Sequence, residues 1–144
     1  MILYTIGFTK KPASQFFESL RSAEVRRIVD VRLNNVSQLA GFAKMQDLRY
    51  FLERIDGIEY KHATSLAPTQ VMLGTYRKDK RWSDYERRFL NLMKDRHVED
   101  VWVRDLRDAD CLLCSEDRPD RCHRRLVAEY LAAYRDDLVI RHLV

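Results

Sequence analysis

The segment Arg26-Arg27-Ile28-Val29-Asp30-Val31-Arg32 restricts the fold more than any other stretch of the chain. Its apolar run, Ile28-Val29 with Val31, suits a central strand covered on both faces, and such strands belong to parallel sheets rather than to exposed antiparallel ones. Ile2 to Ile6 reads as an earlier strand, with a helix from about Pro12 to Arg21 in between. Pro12 fits a first helical turn, where its missing N–H has no intrahelical partner to lose. The chain therefore opens on a βαβ unit. A second helix, about Met45 to Ile55, is expected to bury Leu48, Phe51, Leu52 and Ile55 at helical spacing, and Gly57 ends it before a third strand, Ile58 to His62.

Residues 63 to 80 hold Pro68, Gly74 and scattered polar groups, so a long loop beside the strand ends is expected. Ser83 and Glu86 have capping-box spacing and predict a helix to about Arg96 that buries Tyr85, Phe89, Leu92 and Met93. Residues 98 to 108 fit two patterns: Val101-Trp102-Val103 looks like a strand, whereas Val98, Val101, Trp102 and Leu106 share a helical stripe, and helix is the preferred reading. Cys111 to Cys114 then forms a short buried strand, Ser115 to Asp120 a loop, Cys122 to Arg135 an amphipathic helix and Leu138 to Leu143 a final strand. The expectation is one α/β domain over residues 1–144, a three-layer sandwich with a mostly parallel sheet of about five strands and helices on both faces.

Composition narrows the class of function. With 4 Gly, 3 Pro, 46% hydrophobic and 33% charged residues the chain is neither collagenous nor disordered. Its 26 basic and 22 acidic residues leave a net charge of +4, a weak bias towards anionic partners and far from a dedicated nucleic-acid coat. The cysteines number 3, an odd count, and the opening Met1-Ile2-Leu3-Tyr4-Thr5-Ile6-Gly7 carries no basic leader, which predicts a cytoplasmic chain with reduced thiols. No membrane partner is expected, because no apolar run approaches the roughly 18 residues of a span.

Reactive side chains crowd residues 110 to 125, where a strand end meets a helix start, the usual place for ligands in α/β proteins. His123 extends by one turn the expected buried stripe of Val127, Tyr130, Leu131 and Tyr134, so it is expected to point inwards near Cys114 and Glu116. Arg121, Arg124 and Arg125 lie at the positive end of that helix, unfavourable by about 0.3–1 kcal/mol each, and an anion should offset them. Glu116, Asp117 and Asp120 are internal candidates; a phosphate, carboxylate or nucleic-acid backbone is the external one. If Asp120 caps the helix, Arg121 needs only a surface partner and Arg124 is the preferred ligand group.

Spacing tests four chemistries. A phosphatase-like loop puts five residues between cysteine and arginine, whereas Arg118 and Arg121 follow Cys114 after three and six. Cys111 and Cys114 lie three apart in a strand and point to opposite faces, unlike the thiols of a redox pair at a helix start. Cys114, Cys122 and His123, with Glu116 as a further donor, make a shell acceptable to zinc or iron. Adjacent helical residues diverge by about 100 degrees, so Cys122 and His123 can share an ion only if the helix begins at or after them. Cys122 is alternatively an activated thiolate at a helix amino end. A parallel sheet would bring Thr5-Ile6-Gly7-Phe8-Thr9 and Asp30-Val31-Arg32 to the same edge as Cys114, with Asp30 and Arg32 either an ion pair or a polar site floor.

Thr5-Ile6-Gly7, Asp30-Val31-Arg32 with Ser37, and Leu113-Cys114-Ser115-Glu116 through Pro119 to Cys122-His123-Arg124 resemble the motifs of the family called domain of unknown function 488, over nearly the whole chain. The resemblance implies that these polar positions form a shared site, and it brings no activity with it. Phe8 stands where a histidine is frequent in that family, and Val36 where a proline often precedes the serine. A role for that first histidine therefore does not transfer. Tyr60, His62 and Leu66-Ala67-Pro68-Thr69 fall where relatives carry a tyrosine strand and a Gly-rich loop, making His62 a candidate second imidazole.

Two functions follow as expectations. The first is an enzyme or binder with a cleft for a phosphorylated or nucleotide-like anion. In it Thr5, Gly7, Thr9, Arg32, Ser37, Cys114, Cys122 and Arg124 contact the ligand, and Glu116, His123 or Asp30 does acid–base work. No cofactor is specified. The second is a nucleic-acid or protein interaction module using Arg77-Lys78-Asp79-Lys80-Arg81-Trp82 with Tyr76 and Tyr85, weakened by the interleaved Asp79 and Asp84.

Overall fold

A computed structural model describes residues 1–35 and 41–144. Five strands, β1 (Ile2–Gly7), β2 (Arg27–Asp30), β3 (Glu59–His62), β4 (Asp110–Cys114) and β5 (Val139–Leu143), form one parallel sheet in the order β3-β2-β4-β1-β5. Helices α1 (Ala13–Ser22) and α2 (Met45–Asp56) cover one face; α4 (Trp82–Asp95), α5 (Val98–Asp105) and α6 (His123–Ala132) cover the other. The result is the α/β sandwich the sequence predicts.

Successive strand residues feed two separate cores, which is why the strands read as continuous apolar runs. Tyr4, Ile6, Ile28, Cys111 and Leu113 pack against Phe16, Leu20, Leu48 and Leu52. Leu3, Val29, Val31, Leu112 and Cys114 pack against Phe89, Met93, Trp102, Leu126 and Leu131. Cys111 and Cys114 thus sit in different cores, as their spacing requires. Burial raises the Cys111 thiol, making it an inert core group.

Several boundaries moved. Pro12 is the N-cap residue of α1, in extended conformation, and not its first turn. Gly57 ends α2 with φ 62, the left-handed geometry a helix C-terminus favours. The segment expected to be a loop contains a 3-10 turn (Thr64–Leu66) and a helix, α3 (Gln70–Asp79), whose N-cap Thr69 accepts from the Met72 amide at 3.2 Å. No residue of α3 is fully buried, so it lacks the periodic apolar stripe by which a helix is recognised. The capping box does not form: α4 begins at Trp82, and Ser83 already lies inside it. Residues 98–105 are helical, the preferred of the two readings. No helix among the described residues is long and apolar enough to cross a membrane.

Candidate functional site

The connection from β2 leads to α2 on one face and that from β4 to α6 on the other, so the chain parts at the C-terminal ends of these neighbouring strands. Crevices of α/β sheets form at such points. Here a cleft of about 300 Å³ is floored by Arg32, Cys114, Ser115, Cys122 and His123 and rimmed by Asn34, Arg77, Glu116 and Arg121. Tyr76 from α3 and Trp82 and Tyr85 from α4 form its aromatic wall; the Trp82 and Tyr85 rings stack at 5.3 Å with an interplanar angle of 25°. Burial, then the thiols of Cys114 and Cys122, push the Tyr85 phenol upwards, so it stays protonated.

Strand β2 delivers a charged pair to this floor. Arg32 donates through Nε and Nη2 to the two oxygens of Asp30 at 2.9 and 2.8 Å, and its backbone N–H also reaches Asp30 at 3.1 Å. The Tyr60 hydroxyl, from the neighbouring strand β3, donates to Asp30 as well. Asp30 has no exposed surface and is not among the cleft-lining residues; its carboxylate fixes Arg32 in place. Arg32 is 3% exposed, donates Nη2 to the Ala43 carbonyl at 2.8 Å and lies over the Phe8 ring. Its Nη1 is buried and has no partner among the described residues. His62 holds the backbone of Arg32 by donating Nε2–H to its carbonyl at 2.7 Å, and is not itself part of the cleft lining.

Gly7 and Arg124 organise the loop after β4. A side chain at Gly7 would start 1.6 Å from the Glu116 carbonyl oxygen, so the loop can lie against β1 only because that position has no Cβ. Arg124, fully buried, donates to the carbonyls of Glu116 and Asp117 and, through Nε, to the Thr5 hydroxyl at 3.3 Å. Thr5 also pairs with His142 Nδ1 at 2.6 Å. Lys11 ties down Asp117 at 2.7 Å and holds its carboxyl below the usual range.

The three arginines at the helix start therefore have different fates. Arg124 spends its donors on the loop, Arg125 pairs with Glu129 and Glu86, and Arg121 stands exposed on the cleft rim with no partner among the described residues. Thr5, Gly7, Thr9, Asp30 and Arg124 lie outside the cleft lining; Thr9 binds the loop through its N–H, donating to the Ser115 carbonyl at 3.0 Å. Ser37 lies outside the described residues. The basic stretch after Tyr76 joins α3 to α4, and Tyr76, Trp82 and Tyr85 pack on one another and line the cleft. The sequence names these aromatics as functional groups only in the alternative reading, the interaction module; their place in the cleft follows from α3, which was not legible as a helix.

At the floor the side chains of Cys114, Cys122 and His123, all buried, bring their ligand atoms within 4.8 Å of one another. Helix α6 begins at His123 with Cys122 as its N-cap, the condition under which these neighbours can converge. The Cys122 thiol donates towards Cys114 and, with the Ser115 amide and the Arg124 charge, lowers the Cys114 pKa against the opposing effect of burial. Burial and the Cys114 charge raise Cys122 well above the ordinary thiol value.

A parallel α/β sandwich with a thiol- and arginine-floored cleft at the C-terminal strand ends is the class of protein these observations define. Residues 12–131 match the family model described as "Domain of unknown function DUF488", and the chain belongs to that family. The matched range contains Asp30-Val31-Arg32 and the whole Cys114–Arg124 segment and leaves Thr5-Ile6-Gly7 just outside. Neither the curated proteins nor the solved structures give a match.

Proposed function

We propose that the cleft binds a small anionic molecule bearing a flat ring, such as a phosphorylated nucleoside. The observation that carries this reading is Arg32, a buried guanidinium on the cleft floor with Nη1 unpartnered among the described residues. A buried N–H without an acceptor costs about 1–3 kcal/mol, and an incoming phosphate or carboxylate oxygen removes that cost. Asp30, held by Tyr60, keeps the guanidinium in one orientation. Arg77 and Arg121 on the rim add positive charge, and the Tyr76, Trp82 and Tyr85 wall offers a surface for a ring. Glu116, exposed on the rim, and His123, on the floor, are the groups suited to proton transfer.

Thermal unfolding of the reduced protein against nucleoside mono- and diphosphates, inorganic phosphate and short oligonucleotides tests this reading. A bound ligand at 100 times its dissociation constant adds about 2.7 kcal/mol, a rise of several degrees. Stabilisation by a ring-bearing phosphate, lost in Asp30→Asn/Arg32→Met, is expected. Response only to oligonucleotides, abolished by Lys80→Ala or Arg81→Ala, would replace the cleft by a nucleic-acid surface.

A further inference from the structure

We infer that Cys114, Cys122 and His123 bind one zinc-class divalent cation at the cleft floor, with the fourth coordination position open to the cleft. The inference goes beyond the anion reading and stands without it.

The histidine supplies the first argument. His123 Nε2 lies 2.7 Å from the Val31 carbonyl, and a carbonyl only accepts, so Nε2 carries the proton. In the neutral ring this leaves Nδ1 with its lone pair free, and Nδ1 is 3.5 Å from Cys114 Sγ. Imidazoles that bind metal almost always donate their other N–H to a carbonyl or carboxylate, which fixes tautomer and ring orientation. Val31 fills that role.

Distance supplies the second. Zn–S bonds of roughly 2.3 Å and Zn–N bonds of roughly 2.0–2.1 Å at a tetrahedral angle place sulfur and nitrogen about 3.6 Å apart. The Cys114–His123 separation already meets that value, and Cys122 Sγ completes a triangle whose ligand atoms are within 4.8 Å of one another. Two thiolates and an imidazole select a borderline or soft ion over magnesium or calcium. Among the described residues no fourth Cys, His, Asp or Glu joins the group. Structural zinc sites are closed by four protein ligands, whereas three protein ligands with an open position characterise catalytic ones. Because all three ligands line the cleft, an oxygen of a cleft ligand or a water can take the vacant corner and be polarised there.

The test is a titration of reduced, chelator-stripped full-length protein with Co²⁺ in the absence of any nucleotide. Sulfur-to-cobalt charge-transfer absorption and intense tetrahedral visible bands, saturating at one equivalent and displaced by Zn²⁺, are expected. Cys122→Ser and His123→Gln should lose this spectrum, while Cys111→Ser, in the opposite core, should keep it. If the ligand variants do not fold, wild-type protein still decides: Zn²⁺ should protect Cys114 and Cys122 from iodoacetamide, as mapped by mass spectrometry. A weak octahedral spectrum without charge transfer, alkylation indifferent to Zn²⁺, or loss of binding in folded Cys111→Ser would each overturn the site. With no nucleotide present, none of these results bears on the anion reading.

Discussion

Strand β2 starts and finishes with a buried arginine–aspartate pair, and among the described residues only one of the pairs is closed. At its N-terminal end Arg27 donates to both oxygens of Asp110 at 2.9 and 2.6 Å and to the Asp105 carbonyl at 2.9 Å. The Arg107 amide adds another bond to Asp110, and no buried nitrogen of Arg27 is orphaned. At the C-terminal end Arg32 and Asp30 are as deeply buried, yet one guanidinium nitrogen has no partner among the described residues. The same residue types thus stitch strands together at the end away from the connections that build the cleft and, among the described residues, leave a donor without an acceptor at the end that faces it. A buried ion pair is weak evidence of stabilisation by itself; the unsatisfied donor is the ground on which a binding role is proposed for Arg32 and not for Arg27.

The largest expected effect tests the closed end. Asp110→Asn leaves Arg27 buried without its counter-charge and should cost about 3–5 kcal/mol in chemical unfolding, without altering the affinity of whatever folded protein remains for a phosphorylated ligand. Gly7→Ala works at the opposite edge: forcing the Glu116 loop off β1 should cost about 1–3 kcal/mol and also weaken ligand binding, measured by calorimetry. Next comes the double variant Asp30→Asn/Arg32→Met, which removes both charges of the open pair. Removing a whole pair is often near neutral for stability, so unfolding should change little while ligand affinity falls by about tenfold or more, the equivalent of one charge-assisted hydrogen bond. If affinity is untouched, the two ends of β2 are equivalent braces.

The smallest effect lies at neither end of β2 but beside Arg124. Partial desolvation, followed by the charges of Arg124 and Arg125, holds the pKa of the surface-lying His142 below its ordinary value. The unfolded chain therefore binds the proton more readily, and stability contributed by neutral His142 is present above its unfolded pKa and fades as pH falls below it. His142→Gln should flatten that acid slope slightly in unfolding curves taken from neutral pH to about pH 5, a range that spans the unperturbed histidine pKa of roughly 6.5.

How much of this was legible depended on whether the residue's environment is local. Ile28-Val29 and Leu112-Leu113 announce two-sided burial, so the sandwich follows from sequence, as does the separation of Cys111 from Cys114. The helix α3 does not, since Gly74 lies within it and none of its residues is fully buried. The preference for Arg124 over Arg121 was a local argument about helix ends and caps. Which of them faces the cleft depends on Gly7 admitting the Glu116 carbonyl, a contact across 109 residues of chain that no spacing displays. Tyr60 as the third partner of Asp30 was likewise hidden in the pairing of β2 with β3.

The carbonyl of Val31 carries one more consequence. Every amino acid has that oxygen, so no replacement at position 31 deletes it, and the choice of which His123 nitrogen is basic is written into strand pairing, where the Val31 N–H donates to the Leu113 carbonyl at 3.1 Å. A saturation mutagenesis screen can test Cys114, Cys122 and His123 but passes over the atom that sets the His123 tautomer. Only a backbone edit, such as an amide-to-ester replacement introduced by chemical synthesis, would bring it to light.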